Sequence, residues 1–368
     1  MTGTFTIDPH LLLVSAALNG DNSAVQTLAN SPEYEALIIS NRIAPGLAIR
    51  AATLHVEGPQ LETWRNHMRG AAVMRMRLEA TRREVGGMLA AVNIPWAPLK
   101  GMGLDQRIYQ RPEERITTDL DILISKDDVA VALDQLTAQG WRQCATTERR
   151  CRYVHEEGYA WQLHSIDDLL LEVHFRLWGG VQESLAGAFL ERAHPEPEFG
   201  PTALRLGLAD SYLVAAVHIW QAPPPRYLAL WWDLHRMASI MDGEEIQAAI
   251  TRALDHGLQA FVAFSAATAA DLWGHPRNRQ IANDLARSLR PTERWAASTL
   301  QNSSPATASL GVLSLGRLLA NRPSRSGWRA VIRQIWAHPG TVDAATPDTW
   351  PWPRRRLTHV ARKLHLTK

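Results

Sequence analysis

Apolar positions recur along the chain at a helical period, then briefly at a strand period, then at a helical period again. Over residues 1–93 the spacing is helical. Asp8-Pro9 opens a first helix, with Asp8 as cap and Pro9 in the first turn, and Asn19-Gly20 closes it. A long helix is predicted over residues 60–92, with Leu61, Trp64, Met68, Ala71, Ala72 and Leu78 on its inner side. Arg65, Arg69, Arg75, Arg77, Arg82 and Arg83 are assigned to a solvated outer face in preference to a polyanion site. The pattern then shortens. Residues 95–99 read as a strand running into Lys100-Gly101, residues 102–110 as a helix stopped by Arg111-Pro112, and residues 120–124 as a second strand. A helix over residues 126–139 ends at Gly140, and residues 161–164 and 169–175 form a hairpin across residues 165–168. From Leu204 helices return, over residues 209–220, 227–241, 244–256, 258–273, 277–289, 291–300, 306–319 and 326–337.

The pattern predicts an α+β protein, a small mixed sheet between helical segments. The expected organisation is an N-terminal helical region (1–93), an α/β core (94–200), a C-terminal helical region (201–338), and a linker with a basic tail (339–368). Composition narrows the class. With 368 residues, 46% hydrophobic and 21% charged, the chain can bury a large core and reads as neither disordered nor membrane-embedded. A formal net charge of +2 gives no global drive toward nucleic acid. Cys144 and Cys151 are too few for a four-thiolate zinc site and sit at no redox spacing. Few cysteines, no basic residue ahead of the apolar run at residues 11–18, and no bilayer-length segment together predict a soluble, cytoplasmic protein.

The chemistry gathers in the middle third. Asp119 and Asp121 flank Leu120, so strand alternation projects both carboxylates to one side. Glu172 and His174 do the same in the segment LLLEVHFRL. Were these strands neighbours, three carboxylates would converge, and without a cation they would repel one another. Magnesium or manganese wants that set: oxygen ligands, few from protein, with phosphates completing the shell. Upstream, PLKGMG turns a strand into a helix at Lys100-Gly101. A helix start offers free N–H groups to a phosphate, glycine allows close approach, Lys100 adds a point charge, and Arg115 is placed to meet a triphosphate or a nearby carboxylate.

Taken in order, LKGMGL, TTDLDILI and LEVHFRL resemble the polymerase-β-like nucleotidyltransferase superfamily, and more closely a bacterial branch called nucleotidyltransferase family protein. The segment ALWWDLHRM, residues 229–237, is similar to a further motif of that branch, and the likeness spans about residues 80–245. It implies a small nucleotidyltransferase-like sheet and a magnesium-dependent (or manganese-dependent) transfer of a nucleotidyl group, AMP from ATP, to a hydroxyl. It assigns Asp119, Asp121 and Glu172 as catalytic and metal-binding, and Lys100, Gly101 and Arg115 as nucleotide-binding. His174 and Asp233 are assigned supporting places. ATP or another nucleoside triphosphate is the implied partner, with a small molecule, peptide or sugar as acceptor. Where the wider superfamily has Gly-Ser, this chain has Lys100-Gly101. The rivals are an inactive binding protein on the same fold, an RNA-directed transferase supported only by the arginine-rich helix and the basic tail, and a phosphoryl-transferring relative, since related sheets support that chemistry.

Other constellations carry less. None of His155, His164 and His174 sits at an i, i+4 spacing with another ligand in a plausible helix, and G-x-S-x-G is absent. Trp231-Trp232 reads as core, and Asp233 either pairs with an arginine or lines the cleft. The tail, with Arg354, Arg355, Arg356, Arg362 and Lys363 near Trp350 and Trp352, is read as a solvated amphipathic end.

Overall fold

The computed structural model describes residues 7–109, 111–144, 159–177, 184–219 and 228–294. Within them the helix starts and stops follow local chemistry. The Asp8 side chain accepts from the His10 N–H, and Pro9 begins the helix Pro9–Leu18. In the helix Gly243–Asp255, Asp242 and Glu245 form a reciprocal capping box.

The long helix, Leu61–Ala91, is a spine between two cores. Leu61 and Trp64 belong to the larger cluster, whereas Leu78, Val85 and Leu89 belong to the cluster under the sheet. Two of its arginines depart from the predicted solvated face. Arg82 is buried, paired with Glu196 and lying 3.4 Å over the Phe199 ring, and Arg75 pairs with Glu79 at 2.7 Å. Their spacing explains this: positions 75, 78, 82, 85 and 89 share one helical stripe, so both guanidinium groups point inward and take carboxylate partners. The same stripe includes Gly86, where a Cβ would lie 1.9 Å from the Phe199 carbonyl oxygen. Only glycine permits that contact.

The main sheet has the order β1-β2-β5-β4-β3. Its strands are β1 (Trp96–Pro98), β2 (Asp119–Ile124), β3 (Arg142–Gln143), β4 (Ala160–His164) and β5 (Leu170–His174). β2 and β5 are parallel and every other pairing is antiparallel, so the sheet is mixed. Period-two alternation divides its faces. Leu120, Ile122 and Ile124 of β2 join Leu171 and Val173 of β5 against the long helix and the helix Val129–Ala138. The opposite face carries Asp119, Asp121, Glu172 and His174, and Leu123 on that side joins the larger cluster.

That larger cluster unites helices from before and after the sheet. Leu18 and Leu47 from the N-terminal helices share it with Trp231, Phe261 and Leu285 from the C-terminal ones. The Trp273 indole donates to the Ser15 carbonyl at 3.1 Å, across 258 positions. Helical segments separated in sequence by the sheet therefore share one core.

Several boundaries moved. The helix expected from residue 102 begins at Lys100 and runs to Ile108. β3 and the small pair β6 (His194–Pro195) and β7 (Leu204–Arg205) were not anticipated, because two-residue strands carry no periodic signal. The helix expected over residues 291–300 is described only to residue 294. The helices 306–319 and 326–337, the linker, the basic tail, Cys151 and His155 lie outside the described residues.

Candidate active site

The parallel register of β2 and β5 places Asp121 directly opposite Glu172. Asp119 faces Leu170 and Leu123 faces His174 in the same ladder. Because residues two apart share a face, Asp121, Glu172 and His174 meet, with one ligand atom from each lying within 4.8 Å of the others. His174 Nε2 is 2.8 Å from Asp121 Oδ1 and 3.3 Å from Glu172 Oε2. Lys100 Nζ donates to Asp121 Oδ1 at 2.7 Å and lies 3.8 Å from Glu172 Oε2. The remaining Glu172 oxygen accepts from Gln162 Nε2 at 2.7 Å, across the β4–β5 ladder. Asp119, half-buried, stands one pleat upstream on this face and outside the tight group.

The electrostatics separate the three acids. Burial pushes the Asp121 carboxyl up, but Lys100 and the hydrogen bond from His174 outweigh it and hold it well below the usual carboxylate range. Glu172 is also lowered: burial opposes, and the His174 hydrogen bond prevails. Asp119 goes the other way, raised by burial and then by the neighbouring Asp121 charge. For His174, burial and Lys100 disfavour protonation, yet the hydrogen bonds to Asp121 and Glu172 raise it overall. Lys100 is raised, the attraction of Asp121 and Glu172 exceeding the effect of burial. At neutral pH the site thus holds two firmly ionised carboxylates under a cation.

The PLKGMG segment delivers that cation. The Leu99 N–H donates to the Asp121 carbonyl at 2.8 Å, locking the turn to β2. Lys100, not Gly101, takes the left-handed backbone, at φ +49°. Gly101 is required for space: a Cβ there would lie 2.5 Å from Thr117 Oγ1 and 2.6 Å from Arg115 Nη1. Thr117, which sequence patterning did not single out, therefore packs directly on the turn.

Arg115 and Asp233 form a second polar group behind the first. Arg115 Nε lies 2.8 and 2.9 Å from the two Asp233 oxygens, and Nη2 is 2.8 Å from Oδ2. The Tyr109 hydroxyl donates to Asp233 Oδ1 at 2.5 Å, and Arg115 Nη1 donates to Thr117 Oγ1 at 3.1 Å. In this structure Arg115 turns its guanidinium to Asp233, on the helix Leu228–Ile240, while its other arm touches the Gly101 turn. Trp231 and Trp232 on that helix are core residues.

The donor set suits a divalent cation. Asp121 and Glu172 supply converging hard oxygens, and His174 orients both carboxylates by donating to them. Two further neighbours escaped the sequence reading. Gln162 fixes one Glu172 oxygen, and the Tyr159 ring lies 5.7 Å from that of His174, with burial and then Glu172 raising its hydroxyl. Only knowledge of the β4–β5 register would have revealed Gln162.

A mixed sheet whose central parallel pair bears the acids, flanked by helices and abutted by a helix start, defines a nucleotidyltransferase-like fold. A family model described as an uncharacterised nucleotidyltransferase matches residues 30–274, more than half of the chain, and the protein belongs to that family. No curated protein matches the chain. Family membership implies a nucleotide substrate and transferase chemistry, and Asp121, Glu172 and His174 bring together ligand types that could hold a metal ion. Among the described residues, no helix is long and apolar enough to cross a membrane.

Proposed function

We propose that this protein transfers a nucleotidyl group, AMP from ATP, to a hydroxyl of a small-molecule, peptide or sugar acceptor. The observation that carries this is the pairing of Asp121 with Glu172 across a parallel ladder, beside the start of the Lys100–Ile108 helix. Asp119, Asp121 and Glu172 would hold magnesium or manganese. When bound, such a cation supplies Lewis-acid neutralisation of phosphate charge. The acceptor oxygen attacks the α-phosphorus, the α–β phosphoanhydride bond breaks, and pyrophosphate leaves. Glu172, ionised at neutral pH, takes the acceptor proton. Lys100 and the backbone at the side-chain-free Gly101 meet the phosphates, and His174 and Gln162 keep Glu172 oriented. Arg115 acts through position, holding Thr117 against the turn while Asp233 and Tyr109 hold it. A nucleoside triphosphate substrate fits a cytoplasmic location.

The test is label transfer from α-labelled ATP in the presence of magnesium and cell extract. Wild-type protein is expected to label an acceptor, with Asp121→Asn and Glu172→Gln each slower by about a hundredfold or more at unchanged circular dichroism. Equal labelling by either variant would overturn the proposal.

A further inference from the structure

The Lys100 ammonium lies against the two carboxylates that would hold a divalent ion. Its Nζ is 2.7 Å from Asp121 Oδ1 and 3.8 Å from Glu172 Oε2, and all three side chains are largely buried. Asp121 Oδ1 also accepts from His174 Nε2, so one carboxylate oxygen already serves two donors. A divalent ion and an ammonium held between the same two carboxylates repel each other strongly in a partly dry site. One must yield.

Backbone geometry supplies a second observation. Among the described residues Lys100 is one of five non-glycine residues with positive φ, and it sits at the first position of its helix while Gly101 beside it does not take that conformation. A lysine in the left-handed region is disfavoured relative to glycine or asparagine. Its side chain is therefore what the position retains. The Lys100 stem therefore starts at the helix N-terminus, whose first N–H groups suit phosphates, and ends on the carboxylates.

We propose that Lys100 is a built-in counter-cation: it occupies the metal seat in the nucleotide-free protein and moves its charge to the phosphates when a metal–nucleotide complex enters. This rests on the function proposed above. Free divalent ion then binds poorly alone, and metal and nucleotide strengthen each other reciprocally.

Manganese binding to the nucleotide-free protein, followed by the electron paramagnetic resonance of the free ion, tests it without any turnover. Lys100→Met, close in length and uncharged, is expected to bind manganese about tenfold more tightly or better than wild type. Lys100→Arg, which keeps the charge, should bind no more tightly than wild type, and its melting curve checks that the site tolerates substitution. Manganese should also raise the melting temperature of Lys100→Met more than that of wild type, which reports binding even if the variant is less stable. Equal manganese affinity in wild type and Lys100→Met would overturn the counter-cation role and leave the metal site standing. Absence of binding to both would overturn the metal site and, with it, the function proposed above.

Discussion

Replacing Asp233 with asparagine removes one charge from a buried ion pair and almost no volume. Arg115 and Asp233 have side chains only 10% and 1% exposed, joined by contacts of 2.8 and 2.9 Å, with the Tyr109 hydroxyl at 2.5 Å completing the carboxylate. Asparagine leaves the Arg115 guanidinium buried without a counter-charge and asks Tyr109 and Arg115 to share one amide oxygen. Removing one partner of such a pair costs about 3–5 kcal/mol. Because asparagine still accepts one hydrogen bond, a loss of about 3 kcal/mol is expected. Arg115→Met alone strands the opposite charge and should cost a similar amount. The double variant has no stranded charge, so its loss should fall about 2 kcal/mol or more below the sum of the singles. Chemical unfolding followed by circular dichroism provides all three values. If Asp233→Asn unfolds within about 0.5 kcal/mol of wild type, or the two losses simply add, the pair does not carry the role assigned to it.

Other expectations follow from single positions. Gly101→Ala should lower transfer about tenfold or more, since its Cβ would press on Thr117 Oγ1 and Arg115 Nη1 at 2.5 and 2.6 Å; initial rates at matched folding measure this. Gly87→Ala is the contrasting control: it lies within the long helix with nothing within 4 Å of a new Cβ, so it should stabilise by about 0.5–1 kcal/mol in the same unfolding assay. His235 is pushed down to about 4 from 6.5, by burial first and then by His275 and Arg236. The unfolded chain therefore takes up this proton before the folded one. The stability contribution is complete above the unfolded value and is lost as pH falls from there through about 4, to the extent of roughly 2–3 kcal/mol. His235→Phe, tested by unfolding at neutral pH and near pH 4.5, should flatten that dependence.

What the sequence revealed divides along the range of the forces involved. Helix ends were legible because caps and breakers act within a turn: Asp8-Pro9, Asn19-Gly20 and the long helix fell within a residue of expectation. The acidic face was legible too, since alternation needs only the strand assignment, and Asp119, Asp121, Glu172 and His174 do share a face. Register was harder. β4 and β5 pair with His164 opposite Leu170, one residue later than a loop of residues 165–168 implies, and one step in register turns every side chain to the other face. That offset hid Gln162. Arg115 was expected to meet either a triphosphate or a carboxylate, but nothing local selects Asp233, 118 positions away, as its partner. Arg82 likewise finds Glu196 only through the packing of the long helix on the residues around Phe199. Composition assigns arginine to the surface, and tertiary contact placed this one inside.

The proposed transfer is tested most directly by comparing ATP labelled at the α-phosphorus with ATP labelled at the γ-phosphorus, using wild-type protein and Asp121→Asn side by side with magnesium and cell extract. Attack at the α-phosphorus predicts an acceptor that gains the α label in the presence of wild type, gains no γ label, and gains neither with the variant. An acceptor that gains only the γ label, or gains the α label equally with Asp121→Asn, would contradict nucleotidyl transfer at the Asp121–Glu172 site.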